Sequence, residues 1–230
     1  MTLLGEAAVA MWWNIAPAHR AEFEDWHSHE HFPERMSIPG FMRGSRWASA
    51  EGGDGFFVMY ELESYATLTS SHYLGSLNNP TPWSKKMMPH HRNMVRSQCR
   101  IVESYGGGIG CALTTLRLSP QKGAKDSLRQ HLKSVLSDLP ARPGLTGAHL
   151  LHTQTPNIEM TNEQKIRGGD AVADWIVLVS GYDVDAIAAI VESELRADRL
   201  SESGAAPAPM YSHFNLAYTM TPGDIRTQSS

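Results

Sequence analysis

The pattern that defines the fold of this chain occurs twice. Ile38-Pro39-Gly40-Phe41-Met42-Arg43-Gly44 in the first half is echoed by Arg142-Pro143-Gly144-Leu145-Thr146-Gly147 in the second. In each half an apolar strand and an amphipathic helix precede the Pro-Gly turn, and a strand, a short helix and a last strand follow it. Such a long repeat predicts two copies of a β-α-β-β-α-β unit.

The repeat also predicts how the chain is divided. Residues 1–106 form a first ferredoxin-like unit and residues 110–220 a second, with a glycine-rich linker between them and a frayed tail at 221–230. Each unit should form a four-stranded antiparallel sheet with helices on one face. The uncovered faces should pack together, so the expected fold class is α+β, with tandem units forming a pseudo-dimeric α/β barrel inside one chain.

Two local expectations concern the ends of elements. The first helix is predicted over residues 18–31, because Pro33 and then Pro39-Gly40 should end it. The segment 154–170 is polar and lengthens a hairpin of the second unit, so it is expected to be an exposed loop.

Composition excludes several classes of function. The net charge is -4 without a basic block, which argues against a nucleic-acid partner. The sequence contains no run of 18 apolar residues, so no membrane span is predicted. The two cysteines, without a secretion signal, are typical of reduced thiols, so a cytoplasmic protein is expected.

Two segments of the first half resemble a known family. The run from Trp26 through Glu30-His31-Phe32-Pro33-Glu34-Arg35, followed by Pro39-Gly40-Phe41 and Arg43, resembles the signature of EthD-like proteins. A second run, Asn79-Pro80-Thr81-Pro82-Trp83 with Met88-Pro89-His90 and Arg92, resembles that of an uncharacterised related branch. Both groups belong to the dimeric α/β-barrel superfamily of ferredoxin-like proteins.

The resemblance implies a range of functions, because the superfamily includes cofactor-free monooxygenases, lactone isomerases, polyketide cyclases and haem enzymes. The second half lacks the Glu-His-x-Pro-Glu motif. One site per chain is therefore expected, with the first unit as the active half and the second as the structural half.

The densest polar cluster of the chain, residues 26–35, predicts acid–base chemistry. A histidine beside a carboxylate suits proton transfer near neutral pH, so we expect His31 to be the acid or base, assisted by Glu30 or Glu34. Arg35 or Arg43 would hold a carboxylate or enolate oxygen of the substrate. Alternatively, the cluster is a helix end whose basic side chains complement the helix dipole.

The same segment contains the string His-x-x-Glu-His of some zinc proteases. His27 and His31 are weak candidates for metal ligands, because they lie four residues apart on one helix face. No cofactor is expected, with haem or a divalent metal as the alternative.

Aromatic and basic residues of the first half are candidates for substrate contacts. Aromatic side chains on the first strand and beyond it can line a cavity for a planar ligand, although each of them is also suited to a core. His91 is expected to face solvent. The predicted substrate-binding residues are Trp13, Tyr60, His72, Tyr73, Trp83, His90 and Arg92.

These features predict a small-molecule enzyme without an organic cofactor, of the isomerase, lyase, cyclase or oxygenase type, acting on an aromatic or enolisable substrate. One alternative is a binding module without turnover, which the surplus of aromatic residues favours. Another is a haem or metal protein. The expected partners are a small-molecule substrate and a second copy of the chain in a homodimer, with no nucleic acid and no membrane.

Overall fold

A computed structural model of the chain describes residues 3–225. The strands are β1 (Ala7–Asn14), β2 (Phe41–Ser49), β3 (Gly55–Leu62), β4 (Arg92–Gly106), β5 (Ala112–Leu118), β6 (Leu145–Thr153), β7 (Trp175–Gly181) and β8 (Met210–Met220). The α-helices are α1 (Pro17–Trp26), α2 (Phe32–Met36), α3 (Ser71–Asn78), α4 (Pro82–Met87), α5 (Lys125–Asp138), α6 (Asn162–Arg167), α7 (Val184–Glu192) and α8 (Ala197–Glu202). None of the described helices is both long and apolar enough to span a bilayer.

The strand order confirms the predicted fold class. Neighbouring strands hydrogen-bond in the order β1-β3-β2-β8-β5-β7-β6-β4, and this order closes on itself. Strand β3 pairs antiparallel with both β1 and β2, and β7 pairs in the same way with both β5 and β6. The fold is therefore α+β, with two tandem units of the ferredoxin-like type.

The two Pro-Gly turns are equivalent in their backbone geometry. Gly40 has a φ of +90° and Gly144 a φ of +87°, in the left-handed region that glycine adopts without strain. A Cβ at Gly40 would lie 2.5 Å from Thr67 Oγ1, and one at Gly144 would lie 2.5 Å from Ala186 Cβ. Each turn leads into a strand whose register shifts within its first residues. The sequence repeat is thus a repeat of local structure.

The chain divides into two compact units. One contains Leu4–Cys99, Gln154–Val172 and residues 217–225, and its core is rich in aromatic residues such as Phe23, Trp26 and Phe56. The other contains Arg100–Thr153 and Ala173–Leu216. Its core is aliphatic and includes the leucines that α5 presents every four residues. The predicted boundary between residues 106 and 110 stays a prediction, because β4 and β8 each contribute to both units.

Two local expectations are wrong. The first helical segment does not end at Pro33, since it continues through that residue to Met36. The segment 154–170 is not an exposed loop, because it contains α6 and buries Thr161 and Glu163. Thr161 and Gln164 form a capping box at its start, and Gly168 ends it with a φ of +84°.

The predicted frayed tail is only partly covered by the described residues. Thr221 and Asp224 cap a short 3-10 turn at Pro222–Asp224. Residues 226–230 lie outside the part of the chain that the structure describes.

Candidate active site

A π-helical turn, His27–His31, joins α1 to α2. The N–H of Phe32 donates to the carbonyl of His27, five residues earlier. Pro33 follows at once, and it has no N–H to donate and a ring that crowds the preceding turn of a regular α-helix. The wider turn accommodates this proline without ending the helix. Such turns inside helices are frequent at functional sites.

The π-turn places two imidazoles face to face. The ring centroids of His27 and His31 lie 5.3 Å apart, with 29° between the planes. His31 also packs on the indole of Trp26, at 4.6 Å between centroids. His91, which directly precedes β4, packs on Trp13 at 4.9 Å. The three histidines and two tryptophans form one aromatic cluster.

Burial keeps the three histidines neutral. It lowers the pKa of His27, with a further contribution from the charge of Arg46. It lowers the pKa of His31 in the same way, helped by the charge of Arg35. Burial is also the main reason why the pKa of His91 falls to about 3. At neutral pH all three imidazoles can accept a proton, whereas none carries a charge.

The hydrogen bonds of these rings differ. His91 Nδ1 lies 3.1 Å from the carbonyl oxygen of Met88, which can only accept, so the neutral ring carries its proton on Nδ1. The Nδ1 atoms of His27 and His31 are buried without a hydrogen-bond partner among the described residues. His31 Nδ1 lies 3.8 Å from Glu34 Oε2, beyond hydrogen-bond distance but close enough for an electrostatic contact if the ring is protonated.

A buried ionic network lies beside the histidines. Glu163 of α6 accepts from Arg35 Nη2 at 2.5 Å and lies 3.6 Å from Arg167 Nη1. Arg167 also forms a two-pronged contact with Asp170, at 3.1 and 2.9 Å. Burial alone would lower the pKa of Arg35, but the carboxylates of Glu163 and Glu34 outweigh it and raise that pKa. Arg35 therefore stays charged.

Strands β1 and β3 contain two buried donors that have no acceptor among residues 3–225. The Tyr60 hydroxyl and the Trp13 indole N–H are buried without a hydrogen-bond partner within the described part of the chain. Burial is the largest cause of the raised pKa of Tyr60, so the phenol stays protonated and keeps its hydrogen. Unsatisfied buried donors are costly, and they are common where a ligand completes the hydrogen bonding.

These groups surround one cavity of about 430 Å³, a volume that includes its opening to solvent. Its apolar and aromatic lining consists of Met11, Trp13, Trp26, Tyr60, Tyr73, Leu77, Met88 and Met94. Its polar lining consists of His27, His31, Arg35, His91, Arg96, Glu163 and Arg167.

The cavity contains some of the sequence-predicted site residues. They come from four separate segments, β1, the π-turn with α2, β3 and α3, which the fold brings together. The predicted residues that line the cavity are Trp13, Tyr60, Tyr73, His27, His31 and Arg35.

The other predicted catalytic residues do not line the cavity, because their functional groups bond elsewhere. Glu30 Oε1 accepts from Trp26 Nε1 at 3.1 Å. It also accepts from the hydroxyls of Thr81 and Ser84, at the start of α4. Glu34 Oε1 accepts from Ser76 Oγ at 2.6 Å. The guanidinium of Arg43 binds both carboxylate oxygens of Glu61, at 2.7 and 2.9 Å.

The remaining predicted substrate contacts also lie outside the cavity. His72 is exposed, and Trp83 is partly buried against the core. His90 stacks on His19 with 3.7 Å between ring centroids. Arg92 is exposed and paired with Asp54. His91, the neighbour of His90 in the sequence, was expected to face solvent but lines the cavity.

Sequence reasoning missed Arg96, Glu163 and Arg167 altogether. The last two lie on α6, which a Thr-x-x-Gln capping pattern and a following Gly-Gly pair could have revealed. Arg96 lies two residues after Met94 on β4, so period-two alternation places both on one face. No signal in the sequence showed that this face would line a cavity.

The donor set does not fit a metal ion. Among residues 3–225, no group of three or more histidine, cysteine, aspartate or glutamate side chains converges on a position for a metal ion. His27 and His31 face each other as a stack.

Comparisons with known proteins agree with this architecture. No family model and no curated protein sequence matches the chain. An anthrone oxidase-like protein aligns over 98% of this chain and 97% of its own, with a TM-score of 0.64 and 10% identity. A candidate monooxygenase from Fusobacterium nucleatum aligns over 94% and 95%, with a TM-score of 0.61 and 8% identity. A candidate chlorite dismutase aligns over 96% and 97%, with a TM-score of 0.57 and 12% identity.

The chain has the dimeric α/β-barrel fold. The resemblance is one of fold alone at these identities, and it extends over nearly the whole chain. The likeness of the 26–43 segment to EthD-like proteins stays a resemblance. Within the dimeric α/β-barrel fold the chemistry depends on the cavity, so function has to be argued from its residues.

Proposed function

We propose that this protein is an enzyme that oxygenates a small aromatic or enolisable molecule by acid–base chemistry, without an organic cofactor. The observation that carries the proposal is the pairing of an unbonded neutral base with unbonded donors in one cavity. His31 supplies the base, and Tyr60 and Trp13 supply the donors. The similarity in fold to an anthrone oxidase-like protein and to a candidate monooxygenase supports the oxygenase class.

The first step is removal of a proton from the substrate. A neutral His31 accepts it from an activated C–H or from a phenolic O–H. The new imidazolium lies near the Glu34 carboxylate, 3.8 Å from Nδ1 in the resting site. The hydroxyl of Tyr60 and the indole N–H of Trp13 donate to the oxygen on which negative charge develops. Because both donors are already desolvated, no reorganisation of water opposes this stabilisation.

The second step uses molecular oxygen as co-reactant. The electron-rich carbanion or enolate is oxidised by O₂, and an activated methylene CH₂ with one O₂ gives a C=O group and one H₂O. The carbon loses four electrons and O₂ gains four, so no external reductant is needed. The apolar walls formed by methionine and tryptophan side chains exclude bulk water, which would otherwise protonate the carbanion.

Oxygen consumption with a panel of anthrones, hydroxynaphthoquinols and β-diketones tests the proposal. We expect turnover of at least one class by the wild-type protein, and a fall of about 10²-fold or more in His31→Gln. His29→Gln is the matched control, because His29 belongs to the same π-turn but is exposed. Equal turnover in the two variants would remove His31 from the mechanism.

Deuterium exchange at the acidic carbon under anaerobic conditions separates the two steps. Exchange that depends on His31 but is not followed by oxygen uptake would indicate an isomerase, lyase or cyclase. Binding without exchange would indicate a binding module.

A further inference from the structure

Arg96 differs from the other arginines that line the cavity. Arg35 is paired with Glu34 and Glu163, and Arg167 is paired with Glu163 and Asp170. Arg96 forms no ion pair with any carboxylate of residues 3–225, although it is only 8% exposed. Its Nη2 donates to the hydroxyl of Tyr73 at 2.9 Å.

The position of Arg96 is fixed by the backbone around it. Its N–H donates to the carbonyl of Ala171 at 2.8 Å, and Val95 forms a parallel bridge with the same residue. The Tyr73 hydroxyl fixes one edge of the guanidinium from α3, a helix that Ser70 caps through the N–H of Tyr73. Held in this way, the guanidinium lies in the wall of the cavity.

A buried guanidinium without a carboxylate partner is unfavourable unless a ligand anion completes it. Two nearby carboxylates, Glu163 and Asp170, balance part of its charge at a distance, but both already bond to Arg35 or Arg167. The planar fork of an arginine matches the two oxygens of a carboxylate. The neutral donors of Tyr60 and Trp13 suit an oxygen whose charge develops only during reaction, whereas a permanent cation suits a permanent anion.

We propose that Arg96 binds a carboxylate of the substrate, so that the substrate class is an aromatic or enolisable carboxylic acid. This inference rests on the proposed function for the identity of the reacting part of the molecule, but not for the binding itself. Arg96 anchors the acid at one side of the cavity. The reacting carbon then lies towards His31, with its oxygen near Tyr60.

Binding of matched acids and amides tests the anchor without any turnover. The probes are benzoate and 2-naphthoate against benzamide and 2-naphthamide, followed by isothermal titration calorimetry and by the fluorescence of Trp13 and Trp26. We expect each acid to bind the wild-type protein at least about tenfold more tightly than its amide, since a hydrogen bond to a charged group is worth about that much. Amides that bind as tightly as the acids, or acids that do not bind, would overturn the proposal.

Variants locate the effect. Arg96→Gln should abolish the preference for acids, and Arg92→Gln, its control four residues earlier on β4, should keep it because Arg92 is exposed. Arg96→Lys keeps the charge without the fork and should keep only part of the preference, which provides a test if the glutamine variant does not fold. An undiminished preference in Arg96→Gln or Arg96→Lys would overturn the proposal. His31→Gln should bind the acids normally, so a failed oxygenase assay and a failed anchor give different results.

Discussion

The rings of His27 and His31 stack at 5.3 Å between centroids, and neither Nδ1 has a hydrogen-bond partner among the described residues. Two imidazolium ions in this arrangement would repel each other without screening by water. The stack therefore requires at least one neutral ring, which agrees with the lowered pKa of both. The site therefore contains a pair of uncharged bases, and the protein should lose stability in acid.

The first prediction concerns acid. A buried histidine with a lowered pKa stays neutral in the folded protein, while the unfolded chain binds a proton below about pH 6.5. The free energy of unfolding should therefore fall as pH drops from about 6.5 towards 3, the folded pKa of His91. Each such histidine contributes up to about 1.4 kcal/mol per pH unit. Urea unfolding at several pH values measures this slope.

The histidine responsible can be identified by substitution. His91→Gln should reduce the slope by about one proton, whereas the exposed control His29→Gln should leave it almost unchanged. An identical slope in wild type and His91→Gln would contradict the assignment of His91 as a neutral base.

The second prediction concerns the unbonded hydroxyl. Tyr60→Phe removes a buried donor without a partner, so the free energy of unfolding should stay the same or rise by up to about 1 kcal/mol. Turnover should nevertheless fall by about 10²-fold, because an oxyanion donor is lost. In the control Tyr211→Phe, the lost hydroxyl donates to the Leu195 carbonyl at 2.7 Å. That variant should lose about 1 kcal/mol and keep its turnover. If Tyr60→Phe kept its turnover while Tyr211→Phe lost it, Tyr60 would not be the catalytic donor.

The third prediction concerns the ionic network. Glu163→Gln leaves Arg35 and Arg167 without the carboxylate they share, and the free energy of unfolding should fall by about 3–5 kcal/mol. Glu22→Gln breaks the exposed pair with Lys86 and should change the free energy of unfolding very little. Urea denaturation of both variants decides the matter. If Glu163→Gln loses no more stability than Glu22→Gln, then α6 is not held by this ion pair.

The fourth prediction concerns the packing behind the cavity. A Cβ at Gly44 would lie 2.3 Å from Phe32 Cε1 and 2.9 Å from Tyr60 Cε1. Gly44→Ala should therefore cost about 1–3 kcal/mol by overpacking and should displace the Tyr60 ring. Gly75→Ala meets no atom within 4 Å in helix α3 and should stabilise by about 0.5–1 kcal/mol. Thermal unfolding compares them, and equal melting temperatures would contradict the tight contact at Gly44.

The fold was predictable because its signals are local and repeated. The Pro-Gly turns need glycine at positive φ in both halves, and the strands between them alternate in a regular way. Three lining residues were predictable because their signals are also local. His31 lies in a distinctive motif, and Trp13 and Tyr60 lie in strongly apolar strands.

The rest of the site depends on contacts between distant segments. Glu30 and Arg43 have the right chemistry for a site, but Glu30 already accepts a hydrogen bond from Trp26 and Arg43 is already paired with Glu61. Arg96 and Glu163 become site residues only because Ala171 pairs with β4 and Glu163 bonds to Arg35 of α2, which no local pattern specifies. Their roles follow from tertiary partners rather than from residue type.

The π-turn makes the length of the 27–31 segment a constraint of its own. A deletion of one residue there, for example Ser28, would convert the turn to regular α-helix and rotate the residues on one side by about 100° relative to the other. Phe23 and Trp26 could then not face the core while His31 faced the cavity. Evolution can therefore exchange side chains in this segment far more easily than it can gain or lose a residue there.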